Sequence, residues 1–137
     1  VGLPHWPAWR ALVPATAVEL VRQTGDHLVV PQTVLEERYL SEMAEALRGH
    51  GLQLVHVVLD VAPDVLRSRI AGSGESLTWR GEHVAAYVEA RAWLTDSADL
   101  LVDTTAAPPV EVALTVARCL DLLEPRDPLT QVPGGPV

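Results

Sequence analysis

A chain of 137 residues, nearly half of them apolar, can bury the core of about one domain and is too apolar to be disordered throughout. Its 18 acidic residues against 10 basic ones, with no basic stripe, argue against a nucleic-acid surface. No apolar run nears the roughly 20 residues that span a bilayer and no signal peptide opens the chain, so a cytoplasmic protein is expected.

The chain begins at Val1 without an initiator methionine, and it is expected to be a fragment. From Trp9 the pattern is helical, with Trp9, Leu12, Val13, Ala17, Leu20 and Val21 on one face. Pro14 should kink or split that helix, and Gly25 suits its left-handed closing position. Leu28-Val29-Val30-Pro31 reads as a short buried strand, which puts Gln32 and Thr33 just beyond its carboxyl end. Residues 35–48 form an amphipathic helix with Tyr39, Leu40, Met43, Ala44 and Leu47 inward.

Residues 53–60 are short, β-branched and apolar on both faces, the mark of a buried strand. Pro63 then opens a helix in which Val65 and Leu66 face the core. At about 100° per residue Arg69 falls on that same stripe, while Arg67 points away. An arginine there either snorkels out at the helix end or reaches over the sheet edge to an anion, most simply a phosphate. Residues 71–76 are a small-residue loop expected to be mobile.

From Trp79 or Arg80 to Leu94 another helix is expected, with Arg80, Val84, Tyr87, Val88 and Arg91 on one stripe. Its arginines either pair with Glu82 or Glu89 or serve a ligand. Residues 99–103 are the third strand, and Thr104 and Thr105 leave its carboxyl end. A last helix follows Pro108-Pro109, with Val112, Ala113, Val116, Ala117, Leu120 and Leu123 inward and Cys119 a buried, inert thiol. The expected organisation is one domain over residues 1–123 and a disordered Pro/Gly-rich tail over 124–137.

This alternation of helices and strands predicts an α/β fold, a three-layer parallel sheet with helices on both faces. The five histidines show no ligand spacing, neither HExxH nor CxxC occurs, and no metal site is expected. His56 reads as a satisfied core histidine. Neither GxSxG, GxGxxG nor GxxxxGK[ST] is present, so the sequence has no phosphate-cradling glycine loop.

Several pieces in order resemble the P-loop kinase-like ATP-binding proteins, and among them the TmrB-like tunicamycin-resistance group. They are Pro7-x-Trp9-Arg10, the run from Leu28 to Val34, Leu47-Arg48-x-x-Gly51, Val55-His56-x-x-Leu59, Leu66-x-x-Arg69, Trp79, and the strand leading into Asp103. The resemblance implies a first strand and Walker A loop upstream of Val1, making the present fold an incomplete P-loop kinase-like sheet. It implies ATP, bound only with that loop restored, and possible magnesium. The partners it implies are a nucleotide and a small-molecule substrate.

By the resemblance Arg69 is catalytic and contacts the nucleotide, together with Arg80, Thr104 and Thr105. Arg10, Gln32, Thr33 and Trp79 line the substrate side. A second lid arginine is replaced by Ser73, for which Arg80 or Arg91 could substitute, and Pro31 stands where many relatives carry an acid. The function implied is small-molecule phosphoryl transfer or antibiotic resistance. Its alternatives are a drug-sequestering ATP-binding protein without transfer and a non-nucleotide α/β interaction domain.

Overall fold

The computed structural model describes residues 3–72 and 77–122, apart from the side chains of residues 77–82. A 3-10 turn at Leu3–His5 precedes α1 (Pro7–Thr24) and α2 (Glu37–Gly49). Then come β1 (Val57–Asp60), α3 (Pro63–Ala71), α4 (Leu77–Asp96), β2 (Leu100–Asp103) and α5 (Pro109–Cys119). Proline opens α1, α3 and α5, where a missing N–H costs no intrahelical bond. Gly25, at φ 68°, closes α1 and donates its N–H to the Val21 carbonyl. Pro14 does not split α1: the helix runs through it, with Pro14, Ala17 and Val18 buried. Packing against α2 outweighs the bond that Pro14 cannot make.

The three-layer parallel sheet is not what forms. The described chain is mostly helical, and its sheet has two parallel strands, with Val57 beside Leu100 through to Asp60 beside Asp103. Leu28 to Pro31 is not a strand but part of the irregular segment between α1 and α2, with Val29 78% exposed. A β-branched run becomes a strand only where a neighbour completes its backbone ladder, and no described strand lies beside this one. β1 is also shorter than residues 53–60. Just ahead of it His56 is tied across to the residue before β2, its N–H donating to the Asp99 side chain, Oδ2, at 2.7 Å and its carbonyl accepting from the Asp99 N–H at 2.9 Å.

Two strands alternate their side chains between two faces, and each face is covered on one side only. Val58 meets Ala90 and Leu94 of α4 in one buried cluster, which Leu35, Tyr87, Trp93 and Ala98 flank. On the other face α5 packs on β2, where Val102 is buried. Leu59 and Leu101 both stay about half exposed, at 53% and 47%. α1 and α2 pack as a pair around Val34, Tyr39 and Met43, with Trp9 and Leu40 against them.

Further differences follow from this thin layering. Leu12 and Leu20, expected on the inner stripe of α1, are exposed. Cys119 is exposed rather than buried, and so is Ala113, because α5 is packed from one side by β2. His56 is half-buried rather than a core residue, with its Nδ1 3.1 Å from the Ser97 carbonyl. Of the loop expected at residues 71–76, Ala71 is instead the last residue of α3 and Gly72 its cap, while residues 73–76 lie outside the described residues, as do the tail at 124–137 and Leu123.

Candidate functional site

The carboxyl ends of β1 and β2 are the place where several predicted residues converge. β1 ends at Asp60 and turns through Val61-Ala62 into α3, while β2 ends at Asp103 and turns through Thr104-Thr105. Thr104 crosses to β1 twice: its N–H and its hydroxyl both donate to the Asp60 carbonyl, at 2.8 and 2.9 Å. Thr105 accepts the Ala62 N–H on its hydroxyl at 3.0 Å. Ala62 is the residue that caps α3, so the second turn fixes the start of that helix.

Arg69 closes the other end. From the last turn of α3 its Nη2 donates to the Thr104 carbonyl at 2.7 Å and to the Thr105 carbonyl at 3.1 Å. The guanidinium is therefore not buried on the helix stripe, and it does not merely trail into water. It is exposed but fixed, and its Nε and Nη1 have no hydrogen bond among the described residues. Arg69, Thr104 and Thr105 are thus brought together, with both threonine hydroxyls engaged with backbone.

Behind this edge lies a cluster that sequence reasoning did not identify. Arg91 of α4 holds the buried Asp60 carboxylate in two-pronged fashion, Nε to Oδ1 and Nη2 to Oδ2, each at 2.8 Å. The Tyr87 hydroxyl donates to Asp60 Oδ1 and accepts the Val61 N–H at 3.0 Å. The Arg91 bonds draw the Asp60 pKa down to about 2, although burial alone would raise it. Burial first, and the bond to Asp60 second, push the Tyr87 hydroxyl above its ordinary value. Arg91 is raised in turn by its bonds to Asp60. Asp103 is lowered by hydrogen bonds from Thr105, first from the hydroxyl and then from the backbone N–H.

Arg91 therefore pairs with Asp60 rather than with Glu89, while the side chains of Arg80 and Glu82 lie outside the described residues. The signal was present in the sequence: Tyr87 and Arg91, one turn apart on an apolar stripe, required an anion, and Asp60 ends the apolar strand.

Of the remaining predicted residues, Arg10, Gln32 and Thr33 have no hydrogen bond to this edge among the described residues, and Trp79 and Arg80 have side chains outside them. Arg10, on α1, bonds Glu42 Oε2 and the Pro4 carbonyl, each at 2.7 Å, and lies 4.1 Å from the centre of the Tyr39 ring. Arg38 stands 4.6 Å from the same ring, and His5 meets it edge-on. Gln32 and Thr33 are exposed in the segment between α1 and α2. Trp79 and Arg80 fall in the first turn of α4, where the side chains are outside the described set.

Among the described residues no three His, Cys, Asp or Glu side chains group as metal ligands, and no helix is long and apolar enough to cross a membrane. Comparisons with protein families, curated proteins and solved structures found no match.

Proposed function

We propose that the protein binds ATP, together with the phosphate-cradling loop that the resemblance implies, and acts on a small molecule, with Arg69 contacting the nucleotide phosphates at the carboxyl ends of β1 and β2. Phosphoryl transfer, or resistance to an antibiotic of the tunicamycin type, is the task that the sequence resemblance supports. The carrying observation is the way Arg69 is held. One nitrogen is spent on two backbone carbonyls, leaving three N–H donors on an exposed, oriented guanidinium. Such a group can meet an anion with little further loss of side-chain freedom.

Other assignments follow from this placement. Thr104 and Thr105 build the edge and leave their carbonyls to Arg69, while Arg80 joins the phosphate side on the resemblance alone. Arg10 is committed to Glu42, Pro4 and Tyr39, so the substrate side rests on Gln32 and Thr33, with Trp79 added by the resemblance. ATP, when bound, supplies the phosphoryl group. Magnesium would arrive on the nucleotide, and no residue here is assigned to hold it.

Binding without transfer is the second possibility, and Asp60 favours it. A carboxylate with a pKa near 2 and both oxygens occupied by Arg91 is a poor general base for a substrate hydroxyl. The two are separated by incubating the protein, expressed from its own gene, with phosphate-labelled ATP and a candidate small molecule. Label on the small molecule means transfer. ATP affinity with unmodified small molecule means sequestration, and no ATP affinity removes both.

A further inference from the structure

We infer that Thr105 is a positioning residue for Arg69, deepening the phosphate role proposed above and resting on it for its functional meaning. Three links meet in Thr105. Its hydroxyl takes the Ala62 N–H at the start of α3, its carbonyl takes Arg69 Nη2 from the end of α3, and its hydroxyl and N–H both bond Asp103, the N–H reaching Oδ1 at 2.8 Å. The helix is thus stapled to one turn at both ends, across 43 positions of sequence at its start and 36 at its end. The reach of Arg69 is set by where that turn sits. The hydroxyl of Thr105 sets it from one side and Asp103 from the other.

This gives the threonine a task other than touching a base or sugar. Its side-chain oxygen joins the Ala62 backbone to Asp103, and its contribution to ligand binding passes through the guanidinium. Serine keeps that oxygen and valine keeps the shape without it, so the two substitutions divide the roles.

The test is nuclear magnetic resonance of the Arg69 guanidinium combined with ATP titration, on wild type, Thr105→Val and Thr105→Ser, each checked for cooperative melting. In the wild type, bonds on Nη2 alone keep the two terminal nitrogens of Arg69 inequivalent. Thr105→Val is expected to average those signals and weaken ATP binding roughly fivefold, about the worth of one neutral hydrogen bond. Thr105→Ser should restore both. Distinct Arg69 signals and unchanged affinity in a folded Thr105→Val protein would overturn the inference. If the signals average in Thr105→Val and recover in Thr105→Ser while no variant binds ATP, Thr105 positions Arg69 as inferred and the nucleotide proposal falls.

Discussion

Arg91 and Asp60 form a two-pronged pair between α4 and the end of β1, both N–O distances being 2.8 Å. The acid is nearly buried, but the Arg91 side chain is 42% exposed, so solvent screens part of the attraction. Asp60→Asn removes the charge and leaves Arg91 and Tyr87 with a weaker acceptor. It should cost about 1–2 kcal/mol, between the worth of an exposed pair and that of a buried one. Denaturant unfolding with matched slopes measures this. A loss below a few tenths would make the pair incidental.

The same pair fixes the sign of an acid effect. The folded pKa of Asp60, about 2, lies below its ordinary value of 3.8. Its contribution is therefore complete above about pH 4 and is lost as pH falls through 2. Melting temperature should fall over that window in wild type, and less steeply in Asp60→Asn. Identical acid limbs in the two proteins would contradict the assignment.

Arg10 joins three pieces of the N-terminal half: the Pro4 carbonyl, Glu42 of α2 and the face of Tyr39. Its side chain is only 11% exposed. Arg10→Ala should lower stability by about 1–2 kcal/mol through lost packing and cation–π contact, with Glu42 adding little at its exposure. Arg22→Ala is the control, since Arg22 and its partner Glu19 are both largely exposed and should matter by less than about 0.5 kcal/mol. Chemical denaturation of both variants decides it.

Much of the local structure was legible because it rests on near neighbours. Pro63 and Pro109 mark helix starts, Gly25 marks an end, and the 3.6-residue period of Tyr39, Met43 and Ala44 gives the buried face of α2. The sheet was less legible because strand pairing is a long-range event. Short apolar runs look alike whether or not a partner lies beside them, so Leu28, Val29 and Val30 read as a strand and are not one. At the candidate site, Arg69 was singled out by its place on the apolar stripe of α3, and Thr104 and Thr105 by theirs at the carboxyl end of a strand. Asp60 was missed because its partners, Tyr87 and Arg91, lie 27 and 31 residues away.

The half-covered sheet predicts self-association. Leu59, at 53% exposure, and Val55, at 48%, leave apolar surface beside a strand edge. Leu59→Thr places a β-branched residue there while removing apolar area, and should reduce association with little change in melting temperature. Sedimentation over a range of concentrations reads the effect. Equal association in both proteins would show that this face plays no part.

The most direct measurement is ATP affinity by calorimetry, on the protein expressed from its own gene, for wild type, Arg69→Ala and Arg67→Ala. Both arginines are exposed on α3, but only Arg69 is fixed on the Thr104 and Thr105 carbonyls. Arg69→Ala should weaken binding by about tenfold or more, the equivalent of one charge-assisted phosphate contact, while Arg67→Ala stays within about twofold. Equal, small effects from the two substitutions would contradict the phosphate role of Arg69.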